Sequence, residues 1–227
     1  MNNDVNLDRV WLGVAAEVWR RRPGPVERAA ACLLRSPGLA RALVTTPSLL
    51  LGWTVATVVV VAVGLAATLT TGTAYVPLFA PAVAGVGIAY AYGPGMDPAW
   101  ELAGSMPVSD RIVLLVRALA VFGLNAVLGL VASAASGAVA ALTFGWLVPM
   151  AAVCALALAA ATLSRSANVG AAAGLAGWAM TVLGGRVATG SMVAAATASS
   201  LVVPYLLGAA ACGVIAWYAT RIPRRTS

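Results

Sequence analysis

The run SLLLGWTVATVVVVAVGLAATLT, residues 48–70, carries no charged side chain and no proline. An α-helix rises 1.5 Å per residue, so a run of this length covers about 35 Å. That is enough to cross the roughly 30 Å hydrocarbon core of a bilayer. Its reading as a transmembrane helix sets the class of the whole chain.

Five further apolar windows follow it, at 74–92, 112–134, 138–162, 166–184 and about 200–220. The second is interrupted by Pro77 and Pro81, and the fifth is rich in Gly and Ala. The composition agrees with the windows: 61% of the 227 residues are hydrophobic and only 9% charged, against about 25% charged in an ordinary soluble domain. Mean hydropathy is +0.93. A cleaved secretory signal before a soluble domain does not fit, because the first 47 residues are Arg-rich and lack a long apolar run. The expected fold is an all-α membrane protein with six transmembrane helices, preceded by N-terminal amphipathic interfacial helices.

The formal charge is +7, and all fourteen basic residues are Arg. They sit mostly beside apolar spans, which points to topology and anionic lipid rather than to nucleic acid. With a cytoplasmic N-terminus and six crossings, thirteen of the fourteen fall on the cytoplasmic side, and only Arg186 falls outside. Five or seven crossings would put the basic RIPRR at residues 221–225 on the opposite side from the Arg-rich N-terminus. The implied organisation is a cytoplasmic and interfacial segment 1–47, a six-span domain 48–220 with a cytoplasmic loop at 93–111, and a cytoplasmic tail 221–227.

Within 1–47, Leu7, Val10, Trp11, Val14 and Val18 recur at helical spacing, with Asp8, Arg9, Glu17 and Arg20 on the other face. Pro23 and Pro25 end that segment, and a second runs from Val26 towards Pro37 and Pro47. Apolar and aromatic residues opposite arginine suit a helix lying in the headgroup plane; packing on a soluble partner is the alternative.

What is missing also constrains the chemistry. The chain has no His, so neither a Ser-His-Asp site nor a His-ligated metal site is available. No GxxxxGK[ST] loop occurs, so ATP is not bound in that way. Cys32, Cys154 and Cys212 lie far apart in apolar surroundings and read as small buried hydrophobes. No Asp or Glu falls inside any of the six windows, whereas ion-coupled transporters usually place carboxylates at mid-membrane.

One stretch departs from the apolar background. DPAWELAGSMPVSDR, residues 97–111, brings Asp97, Glu101, Asp110 and Arg111 together between two spans. Asp97 is placed to cap a helix with Pro98 at its first position, AWELAGS supplies about two turns, and Pro107 stops it. Ser109 and Asp110 are then placed to cap the third span. A structured loop at the membrane surface implies that something docks there.

ELAGSMPVSDRIVLLVRAL resembles the first cytoplasmic loop of ABC-2 type permeases, the membrane subunits of ATP-binding-cassette exporters. The resemblance lies in Glu101-Leu102, in the turn Pro107-Val108-Ser109, and in the basic Arg111 that opens the third span. It extends to the order of parts: an interfacial helix, six spans, a coupling loop between spans two and three, and an outer segment at 185–199. It implies a loop seated on a separate ABC ATPase subunit that binds ATP and magnesium; this chain would bind no cofactor itself. Asp97, Trp100, Glu101, Leu102, Met106, Pro107, Asp110 and Arg111 would form the coupling loop, with Trp100, Leu102 and Met106 as apolar anchors and Glu101 and Arg111 as the polar rim. A Trp in the interfacial belt and a local Glu101–Arg111 pair are the plain alternatives. A second permease subunit, identical or related, would complete a twelve-span pathway in a bacterial plasma membrane, with both termini cytoplasmic. The outer segment lacks the aromatic and charged residues that could indicate a substrate.

Inside the spans, Arg117 and Asn125 are the candidate path residues. Arg117 either meets an anionic substrate or the coupling loop, or snorkels to the surface beside Asp110. Asn125 either bonds between helices or lines a path. Pro149 is expected to kink the fourth span. Gly170, Gly174 and Gly177 give span five a small-residue face for close helix approach, within one subunit or at a seam. Two other functions compete with an exporter subunit. One is a non-transporting membrane scaffold or regulator that binds a cytoplasmic partner through its Arg-rich N-terminal region. The other is an intramembrane enzyme, the weakest reading, because the chain offers no nucleophile with a matching base.

Overall fold

The computed structural model describes residues 24–35, 47–73, 75–92, 110–135, 144–193 and 198–220, and its regular elements are all helical. The chain divides into two units, Met1–Thr45 and Thr46–Ser227. In the first, helix α1 spans Pro25–Leu34. Gly24 caps it in an extended conformation, Pro25 occupies the first turn where no N–H is needed, and Glu27 faces the positive end of the dipole. It ends at Arg35, which adopts the left-handed conformation with φ 49°. Cys32 is exposed on this helix, contrary to its expected burial.

The second unit holds α2 (Pro47–Thr71), α3 (Val76–Tyr90), α4 (Asp110–Ala135), α5 (Leu147–Ser164), α6 (Ala167–Thr189), a 3-10 turn at Ser199–Leu201 and α7 (Val202–Ala219). Five of these are long and apolar enough to cross a membrane: Thr54–Thr71 of α2, Ile112–Ala135 of α4, and α5, α6 and α7 in full. The window at 74–92 is the exception. Its helix, α3, has 15 residues and is about 22 Å long, shorter than a hydrocarbon core. Pro77 fits its first turn, but Pro81 lies inside it, where the missing N–H leaves the Pro77 carbonyl without its helical donor.

Packing explains how such a helix persists. Nine of its residues are buried, among them Val76, Ala84 and Ile88, and it touches α2, α4, α5 and α6. The indole N–H of Trp178 on α6 donates to the Leu78 carbonyl at 2.7 Å, and the Tyr90 hydroxyl donates to Asn168 Oδ1 at 3.0 Å. As the α3 partner advances from 78 to 90, the α6 partner falls from 178 to 168, so the two helices are antiparallel. Helices α5 and α6 are joined by only Arg165 and Ser166. Gly170 faces Ala161 and Ala157 while Gly174 faces Ala157 and Val153, which makes this pair antiparallel too. Helix α3 therefore runs parallel to α5.

The small-residue face of span five is thus used within the chain. A Cβ on Gly170 would lie 2.6 Å from Ala161 Cβ and 2.7 Å from the Ala157 carbonyl oxygen. The turn between α2 and α3 hangs on Thr68. Its hydroxyl donates to the Gly64 carbonyl at 2.7 Å and accepts the Tyr75 N–H at 3.1 Å, while Gly72 takes the left-handed conformation at φ 72°. Pro149 falls in the opening turn of α5, and residues 144 and 145 ahead of it are helical, so the helical path is interrupted at Trp146, just before this proline. The core is assembled from Ala80, Ala84 and Ile88 of α3, Ala118 and Val121 of α4, Met150, Val153 and Cys154 of α5, Trp178 of α6, and Trp146 just before α5.

The outer faces are apolar as well. Val63, Leu69, Leu119, Val131, Met180, Leu207 and Tyr218 are all exposed, so greasy residues coat the bundle on most sides. Water would penalise such a surface heavily; a lipid environment does not.

Candidate functional site inside the bundle

Of the coupling-loop residues expected from the sequence, Asp97, Trp100, Glu101, Leu102, Met106 and Pro107 lie outside the described residues. Asp110 and Arg111 are the first described residues of α4.

The path candidates are both on α4. Arg117 is half-buried, about 10 Å along the helix from Asp110. Asn125 is only 2% exposed, and its Nδ2 donates to the Val121 carbonyl of its own helix at 2.8 Å. That bond is intrahelical, whereas the sequence reading anticipated a bond between helices or a place on a path. Arg117, Val121, Asn125, Gly129 and Ser133 follow at every fourth position, and none is exposed. They form a slowly turning inward stripe of polar and small residues in which Val121 is the single larger apolar member.

Two buried polar groups lie outside those expectations. Thr57 on α2 and Trp146 before α5 are both fully buried, and neither the Thr57 hydroxyl oxygen nor Trp146 Nε1 has a hydrogen-bond partner among the described residues. Trp146 lies against Gly129: a Cβ there would be 2.4 Å from the indole Cη2. An indole N–H left alone in an apolar core is costly, so its retention marks a position of interest. In sequence, Thr57 is one of many threonines in apolar runs and Trp146 reads as an interfacial Trp; no local pattern separates them. The Trp178–Leu78 bond does leave a trace, because Pro81 announces a disturbed carbonyl ladder nearby.

Charge within this region is one-sided. From Arg111 to the last residue the sequence contains no Asp or Glu. Among the described residues no group of three His, Cys, Asp or Glu lies close enough to hold a metal ion. Fold and interior together define a multi-pass helical membrane protein with a sparse polar interior. Comparison with protein-family models, with curated proteins and with solved structures yields no match to this chain.

Proposed function

We propose that the chain is the permease subunit of an ATP-driven exporter of the ABC-2 type, working with a separate ATPase subunit and a second permease subunit. The carrying observation is a lipid-suited helical bundle without a single carboxylate in its spans, joined to the motif ELAGSMPVSDR between two of them. Such an interior offers no proton or sodium relay, so the driving force must come from a partner. In this reading α3 is the second of six crossings. Its direction, parallel to α5 and antiparallel to α6, is the one a second crossing requires. Its shortness is tolerated because neighbouring helices, rather than lipid, cover most of it.

The Arg distribution supports a cytoplasmic N-terminus and C-terminus in this topology, and α1 would lie on the cytoplasmic membrane surface. Arg in place of Lys and an excess of Ala fit a GC-rich bacterial genome and hence a bacterial plasma membrane. Closure of the ATPase on ATP would push the loop at 93–111 and tilt the helices on either side of it. Seven of the fourteen arginines fall within the first 41 residues, and this favours the second reading, a scaffold that recruits a cytoplasmic partner.

Affinity purification from mild detergent separates the two. The exporter reading expects a stoichiometric ATPase that is lost when Trp100→Ala and Glu101→Ala are introduced together, with membrane insertion intact. A protein that purifies without an ATPase and shows no ATP dependence would overturn it in favour of the scaffold.

A further inference from the structure

We propose that α4 hinges at Val121–Asn125, dividing the helix into an inner and an outer arm that tilt relative to each other. Two independent features of the helix meet at this point. Asn125 Nδ2 donates to the Val121 carbonyl, the same acceptor that the Asn125 backbone N–H uses in a regular helix. A side chain that enters the carbonyl ladder competes with the main chain and is a recognised cause of bending. Gly123 lies between the two. A Cβ on Gly123 would meet no atom within 4 Å, so packing does not require a glycine there. At an interior position Gly lowers the helix-forming equilibrium about fivefold relative to Ala. The glycines of the core behave differently: Gly85, Gly170 and Gly177 would each bring a Cβ within 2.7 Å of a neighbour.

Both arms are packed, the outer one at Gly129 against the fully buried ring of Trp146 and the inner one through Ala118 and Val121 in the core. The inner arm begins at Asp110, follows the loop directly, and carries Arg117. Beside it, α3 is tied to α6 near both ends, through Leu78–Trp178 and Tyr90–Asn168, and so provides a fixed wall. Tilting about Gly123 changes the depth and direction of Arg117 relative to the outer half. This bending does not depend on the exporter reading, although in an exporter it would let the inner arm follow the loop.

Hydrogen exchange of the full chain in lipid nanodiscs, read by mass spectrometry, tests it. Amides of residues 121–127 should exchange at least tenfold faster than those of 153–161 in the middle of α5. Gly123→Ala should slow the 121–127 amides about fivefold, the helix-propensity difference between the two residues, and Asn125→Leu should slow them in the same direction. The inference is overturned if 121–127 is as protected as 153–161 in the wild type, or if neither variant changes its exchange. It is equally overturned if Gly123→Ala loses protection throughout α5 and α6, because Gly123 would then be a packing residue.

Discussion

Trp178 shows how one side chain settles a helix that its own sequence disfavours. Pro81 takes the helical donor from the Pro77 carbonyl; Trp178 does not replace that bond but donates from α6 to the next carbonyl, that of Leu78, and so ties α3 to its neighbour. Hydrogen bonds between transmembrane helices contribute about 0.6 kcal/mol on average and up to about 1.7. Trp178 is also 4% exposed, so truncation opens a space as well. Trp178→Phe should therefore destabilise the bundle by about 1–2 kcal/mol, seen as an earlier unfolding transition in mixed micelles. No change in the transition would mean that α3 is held by packing alone.

Between α5 and α6 the approach at Gly170 is close, with the Ala157 carbonyl and Ala161 directly opposite. Gly170→Ala would press its methyl into Ala161 and into the rigid Ala157 carbonyl, at a cost of about 1–3 kcal/mol. Gly208→Ala on α7 meets no atom within 4 Å and should be neutral or slightly stabilising. Paired thermal melts of the two variants in one detergent test the contrast. Equal melting points would remove the close α5–α6 contact as an explanation for the glycines of span five. The same two-residue turn that forces α5 and α6 together places Arg165 in the left-handed region at φ 56°, where a non-glycine residue is uncommon.

For the molecule as a whole, topology turns on α3. If α3 crosses, the turn at Gly72–Thr73 and the end of α6 near Ser191 face the outside, while Arg165 faces the cytoplasm. Single cysteines introduced as Thr73→Cys, Arg165→Cys and Ser191→Cys give a direct reading with a membrane-impermeant thiol reagent applied to intact cells. Labelling at 73 and 191 but not at 165 is the expected outcome. Labelling at 165 would mean that α3 enters and leaves on one side and that α4 to α7 run the opposite way. The charges argue for the crossing, since inversion would put Arg111, Arg117, Arg165 and the final arginines of residues 221–225 on the outer side.

The class of the protein was legible at once from 48–70 and the windows after it, because a span needs only length and low polarity, and both are properties of a linear string. The beginning of α5 was not. The interruption falls at Trp146, after helical residues 144 and 145, and the ring of Trp146 packs on Gly129 of a distant helix. Asn125 could be recognised as buried and polar, but its choice of the Val121 carbonyl over a neighbouring helix depends on what surrounds it.

By itself, then, the sequence determined that this is a multi-pass helical membrane protein, with its charges gathered at helix ends and in the first 41 residues and no carboxylate among its spans. The tertiary structure alone decided that α3 is short, sits at the centre and is tied to α6 from both ends. It also decided that Gly170, Gly174 and Gly177 of α6 face α5, and that Trp146 and Thr57 carry buried polar atoms without partners among the described residues. The physical reason is one of range. Membrane insertion sums transfer free energies along the chain and ignores order in space, whereas side-chain packing and hydrogen bonding between helices join residues as far apart as 78 and 178, whose meeting no local pattern encodes.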